Sequence, residues 1–135
     1  MTESVRMAEL AWPALGKRIA GGAPVFLPCG SFEQHGPHLP MSVDMLVPAA
    51  IADAVAARTD GLVAPAFAYG YKSMPKTGGG PYFPGTINLD GATLTDLVRD
   101  VIRELHRHGA RRVCAIVRHH EHQWLVTEGL RLLVP

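Results

Sequence analysis

Glu33 and His35 stand two residues apart in Cys29-Gly30-Ser31-Phe32-Glu33-Gln34-His35-Gly36-Pro37-His38, and Asp44 follows shortly after. In an extended segment, residues two apart point to the same side. A carboxylate and an imidazole side by side suit a divalent ion of the Zn or Mn kind better than Ca or Mg. A second cluster, His119-His120-Glu121-His122, lies far along the chain. Five of the seven histidines fall in these two clusters, a concentration that packing alone does not account for. Taken singly, each residue has a plainer reading. Asp44 suits a helix N-cap, Glu33 and His35 a polar turn, and His119 and Glu121 a polar loop. His38 and His122 read as surface groups or as partners that orient ligands. Cys29 reads as a small buried residue, since no positive group is placed to activate it.

The elements around the clusters give them a common place. Trp12 to Ala20 reads as a short helix, with Pro13 in the first turn and Gly21-Gly22 as the stop. Val25 to Pro28 is an apolar run without alternation, the pattern of a strand buried on both faces. Met45 to Arg58 reads as a helix capped by Asp44, with Pro48 tolerated in its first turn. Leu62 to Phe67 is a second strand that Pro65 makes irregular. A long loop follows from Ala68 to Pro84, with Tyr69, Tyr71 and Tyr82 and the run Gly78-Gly79-Gly80. A loop of that length in a compact domain is usually functional or disordered, the aromatics argue against plain disorder, and a surface loop is the plainer reading. Leu94, Leu97, Val98, Val101, Ile102 and Leu105 have helical spacing, and Gly109 marks the stop. His106 and His108 end that helix as surface residues. Val113 to Val117 is the third strand, and a last helix runs from about Gln123 to Leu133. The order β-α-β-loop-α-β-α predicts parallel strands with helices on the faces. In such sheets the site lies beyond the carboxyl ends of the strands, and both clusters fall there.

At 135 residues one domain, 1–135, is expected, with 47% hydrophobic residues to supply its core. A net charge of +1 gives no reason to expect a nucleic-acid partner. No apolar run is long enough for a membrane span. Two cysteines are too few for a disulfide framework, and a reduced, cytoplasmic setting is the simplest expectation. Three or four strands leave a sheet edge open, so the chain reads as the front half of something larger.

The chain resembles the creatininase (creatinine amidohydrolase) family. The resemblance rests on Gly30-Ser31-Phe32-Glu33-Gln34-His35-Gly36 with Asp44, on Tyr69-Gly70-Tyr71-Lys72-Ser73 and on Gly78-Gly79-Gly80. It continues through Phe83-Pro84-Gly85-Thr86, Leu89 to Thr95, Arg103-Glu104-Leu105, His108 to Arg112 and Glu128-Gly129. The Tyr-Gly-Tyr-Lys-Ser loop and the His-x-Glu pair look like the creatinine-hydrolysing members rather than their deformylase-like relatives. The implied fold is a three-layer α/β/α with a mostly parallel sheet, incomplete at the C-terminus. The implied centre holds two divalent ions, Zn and/or Mn. Glu33, Asp44 and His119 would hold one ion, and His35, Asp44 and Glu121 the other, with Asp44 bridging and Glu121 counted as catalytic. A water shared by the ions would open creatinine, a small cyclic amide, to creatine. The family's hexamer implies a homo-oligomer.

Several positions depart from the family pattern. Val117-Arg118 stands where the family has Asn-Gly, and an Arg118 guanidinium must point away from a dication or weaken the site. Thr77 and His120 replace a substrate-contacting Ser and a Tyr, which bears on substrate preference. The family's proton-shuttling His and substrate-enclosing Trp residues lie past Pro135, so this chain alone is expected to be inactive. The alternatives are a non-catalytic metal-binding or assembly fragment, or a hydrolase of a related amide or formamide.

Overall fold

The computed structural model describes residues 3–74 and 82–133. The expectations attached to Thr77 and to Gly78-Gly79-Gly80 lie outside the described residues. A 3-10 turn at Met7–Glu9 precedes α1 (Trp12–Ala20), β1 (Val25–Cys29) and α2 (Val43–Thr59). Then come β2 (Leu62–Val63), β3 (Gly70–Tyr71), β4 (Asn88–Leu89), α3 (Gly91–Arg107), β5 (Val113–Val117) and α4 (His122–Arg131). The main sheet has the order β2-β1-β5 with both pairings parallel, in register Val25 with Leu62 and Val25 with Val113. β3 and β4 form a second, parallel pair.

Every residue of β1 is buried, as its unbroken apolar run requires of a central strand. Its alternate residues separate two cores. Val25, Leu27 and Cys29 pack with Ile19 of α1, Leu94, Val98 and Ile102 of α3 and Val126 of α4. Phe26 packs with Ala52 and Ala56 of α2. The helices therefore lie on both faces of the sheet, in three layers. β5 is half exposed and pairs only with β1 among the described residues, so its outer edge is open. No described helix is long and apolar enough to cross a membrane.

Three local expectations change. α2 begins at Val43, before Met45, and its cap residue is Ser42. Asp44 thus lies inside the first turn, and its carboxylate turns inward instead of capping. It heads a stripe of buried residues at four-residue spacing, Asp44, Pro48, Ala52 and Ala56, which packs on the sheet. Pro48 accordingly sits past the first turn, where its missing amide hydrogen leaves the Asp44 carbonyl without its helical bond. The second strand is shorter than Leu62 to Phe67. Pairing stops at Val63, and Phe67 rejoins β1 only as an isolated bridge to Cys29, because Pro65 interrupts the ladder.

Candidate metal centre

β1 ends at Cys29, and the chain beyond it carries Glu33 and His35 over the carboxyl end of the sheet. β5 ends at Val117, beside Cys29 in register, and delivers His119 and Glu121 to the same end. Asp44 arrives from the first turn of α2. Gly30 makes that approach possible: a Cβ there would overlap the Asp44 carbonyl oxygen and come within 2.9 Å of Met45 Cα.

The five residues named from the sequence meet. His119 Nδ1 lies 3.1 Å from Glu33 Oε1 and 3.2 Å from Asp44 Oδ2. His35 Nε2 lies 3.2 Å from the other Asp44 oxygen, Oδ1. His119 Nε2 lies 3.4 Å from Glu121 Oε2. Ligand atoms of Glu33, His35 and Asp44 all fall within 4.8 Å of one another. A cleft of about 250 Å³ opens over them, lined by Glu33, His35, Asp44, Ser73, Arg118, His120 and Glu121.

Supporting contacts fix the carboxylates. Ser73 Oγ donates to Glu33 Oε2 at 2.7 Å, and the Met74 amide donates to Glu121 Oε1 at 3.2 Å. The His35 ring faces the Glu33 carbonyl at 3.2 Å through Nδ1, which directs Nε2 at Asp44. Asp44 is buried, and burial alone would raise its carboxyl. The His119 hydrogen bond and the charges of His35, His119 and Arg118 outweigh burial and hold the group below its ordinary value. Burial likewise works against a charged His119, but its hydrogen bonds to Asp44 and Glu33 raise it to about 9. His122 goes the other way, pushed down to about 4 by burial and by the His119 charge.

The donor set fits a cation. Two buried carboxylates, Glu33 and Asp44, face each other's neighbourhood with imidazoles as their main compensation. Asp44 Oδ1 is buried without a hydrogen-bond partner despite its proximity to His35. Such an orphaned oxygen is costly in a sealed site and ordinary beside a metal.

Arg118 lines the cleft and its charge acts on Asp44, and its amide donates to the Cys29 carbonyl at 3.3 Å, continuing the β1–β5 ladder by one residue. His120 is exposed on the cleft wall. His38, His106 and His108 are exposed surface residues. Cys29 is buried, and burial pushes its thiol up to about 12, which leaves it inert.

Sequence reasoning missed Ser73 and the backbone of Tyr71. Ser73 lies in the Tyr-Gly-Tyr-Lys-Ser loop, but nothing in one chain's sequence ties it to a carboxylate 40 positions away. His122, read only as a surface or partnering group, is fully buried.

A sequence profile of the creatininase family (creatinine amidohydrolase) matches residues 8–134. Creatinine amidohydrolase of Pseudomonas putida is 50% identical over 133 residues, covering 98% of this chain and 51% of that protein. The mycofactocin precursor peptide peptidase of Mycolicibacterium smegmatis is 42% identical over 76 residues, 52% of this chain and 29% of its own length. Among solved structures, a manganese creatininase superposes with a TM-score of 0.92 at 50% identity, covering 96% of this chain and 51% of its own. A point-mutant creatininase complexed with creatine gives 0.93 at 49% identity with the same coverage. A second structure of the same mutant is of a Zn-Zn type. The chain spans about half the length of the amidohydrolase and of these structures. With the profile running from residue 8 to residue 134 over the same three-layer fold, this chain belongs to the creatininase family.

Proposed function

We propose that the chain carries the metal-binding part of a hydrolase that opens a cyclic amide, creatinine to creatine, with two divalent ions, Zn and/or Mn. The observation that carries the proposal is the meeting of Glu33, His35, Asp44 and Glu121 around one cleft, with the buried His119 in contact with Glu33, Asp44 and Glu121 and Asp44 Oδ1 left without a hydrogen-bond partner. In this reading Glu33, Asp44 and His119 would hold one ion and His35, Asp44 and Glu121 the other, with Asp44 shared between them. Bound divalent ions supply Lewis acidity, lowering the pKa of water and polarising the amide carbonyl.

The chain's own residues do the rest. The Ser73 hydroxyl and the Met74 amide each hold one oxygen of their carboxylate, leaving Glu33 Oε1 and Glu121 Oε2 turned toward His119. Arg118 and His120 line the cleft, and the family resemblance is what makes His120 and Thr77 the residues expected to contact the substrate. Among the described residues no Phe, Tyr or Trp lines the cleft. Orientation of the substrate and proton delivery to the leaving nitrogen are each worth large factors in rate, roughly 10²–10⁴ for the proton alone. The chain by itself is therefore expected to bind metal without measurable turnover. A homo-oligomer in a cytoplasmic setting fits the apolar outer face of α2, where Leu46 and Ile51 are about half exposed, and the two free cysteines.

The test is metal content by elemental analysis together with creatine formation from creatinine, with Zn or Mn added. Absence of stoichiometric metal after loading would sink the proposal. Turnover within about tenfold of a full-length relative would refute the inactivity of the lone chain and make His120 the acid to replace. The kinship with a peptide peptidase favours a linear amide as the second substrate class, tested by a short peptide in the same assay.

A further inference from the structure

We propose that His122 is a positioning residue that acts on the metal centre through the Tyr71 peptide, which it holds so that His119 presents Nδ1 to Glu33 and Asp44. The inference rests on the reading of His119 as a ligand.

The two faces of one peptide segment are gripped by two histidines. The Tyr71 amide lies 2.9 Å from His122 Nε2. A backbone amide can only donate, so His122 Nε2 accepts, and the ring is neutral with its proton on Nδ1. The Tyr71 carbonyl lies 2.9 Å from His119 Nε2. A carbonyl can only accept, so His119 carries a proton on Nε2, and Nδ1 is the nitrogen left for a metal. That nitrogen points between Glu33 Oε1 and Asp44 Oδ2. The two rings meet edge to face with centroids 4.4 Å apart.

The arrangement carries a cost that packing does not explain. His122 is fully buried, and its Nδ1 proton finds no partner. A leucine of similar volume would fill the space without a buried unpaired donor, so the ring persists for what Nε2 does. Gly70 points the same way. A Cβ at Gly70 would overlap the His122 ring at Nε2 and Cε1, so this backbone is bare where the imidazole must enter. Ligating histidines depend on the partner of their other nitrogen for tautomer and ring orientation. Here that partner is a carbonyl on a two-residue strand, and His122 is what anchors the amide of the same residue.

The experiment uses the chain with Zn²⁺ as probe, three single variants at positions 70 and 122, the double variant Gly70→Ala/His122→Leu, and His119→Ala as the control on the ligand assignment. His122→Leu keeps volume and removes the acceptor, and His122→Gln places an amide oxygen near the position of Nε2. Gly70→Ala displaces the ring while leaving His122 in place. Zn²⁺ affinity is measured by competition with a chromophoric chelator, folding by circular dichroism, and the His119 ring by ¹⁵N-detected nitrogen shifts in the Zn²⁺-loaded chain. The expected result is a loss of about 10–100-fold in His122→Leu and in Gly70→Ala, with recovery to within about threefold in His122→Gln. His119 in wild type and in His122→Gln shows a protonated Nε2 and a metal-bound Nδ1, and His122→Leu loses that single pattern. Gly70→Ala combined with His122→Leu loses no more than His122→Leu alone. Wild-type affinity and an unchanged His119 pattern in His122→Leu would overturn the proposal, as would fully additive losses in the double variant. If His122→Leu does not fold, His122→Gln and Gly70→Ala decide: equal losses in both overturn it, and a loss confined to Gly70→Ala supports it. Wild-type Zn²⁺ affinity in His119→Ala would instead defeat the ligand assignment itself.

Discussion

In the proposed centre, a metal on His119 has to displace a proton, and the size of that competition follows from the surroundings of His119. In the metal-free chain Nδ1 faces Glu33 and Asp44, and although burial works against the charged ring, these hydrogen bonds raise it to about 9. A dication on Nδ1 would therefore replace a proton that at pH 7 is held by about two pH units, or about 3 kcal/mol at 1.36 kcal/mol per unit. Between pH 7 and 8.5 the apparent Zn²⁺ affinity should rise close to tenfold per pH unit from this residue alone. Close to one proton per chain should be released from His119 on binding at pH 7.5. Calorimetric titration in two buffers of different ionisation heat measures the proton count directly. His119→Asn should flatten the pH slope. A release below about 0.3 proton at pH 7.5, or an affinity constant from pH 7 to 8.5, would refute the placement of His119 Nδ1 between the carboxylates as the ligand position.

Other expectations follow from the same geometry. Gly30→Ala drives a methyl against the Asp44 carbonyl and Met45 Cα, so α2 must shift; a loss of about 1–3 kcal/mol in denaturant unfolding is expected, together with weaker Zn²⁺ binding, and wild-type values for both would contradict the close approach. Without metal, folding stability should peak near pH 6.5. The raised His119 value contributes fully below its unfolded value and is lost as pH rises toward about 9, whereas the lowered His122 value contributes fully above 6.5 and is lost as pH falls toward about 4. Each arm is worth about 3 kcal/mol at its end, and a thermal-shift series showing a monotonic trend across that range would count against the pair. Stripping metal with a chelator should lower the melting temperature of the loaded chain, because ligands that bind only the folded state stabilise it; an unchanged curve would mean the purified chain held no metal at this site.

Much of this architecture was legible in the residue order. The unbroken run at Val25 marked the central strand, the helical spacing from Leu94 to Leu105 marked α3, and the β-α-β order implied parallel pairing. The meeting of Glu33, His35, Asp44, His119 and Glu121 was also legible, because parallel strands place all their carboxyl ends on one side of the sheet. The proposal that they are ligands came from the resemblance to a family, since a carboxylate near a helix start suits a cap equally well.

Residue types and their spacing determined which groups reach the end of the sheet. Tertiary structure alone decided which atoms of those groups face one another. That Asp44 turns inward depended on α2 starting at Val43 and packing its Asp44, Pro48, Ala52 and Ala56 stripe on the sheet, with Gly30 clearing the way. Arg118 lining the cleft depended on one further rung of the β1–β5 ladder. The burial of His122 and its grip on the Tyr71 amide join positions 51 apart in sequence. Local propensity carries no signal over such a separation, because the partner is chosen only when two independently formed segments pack and every buried donor and acceptor has to be matched.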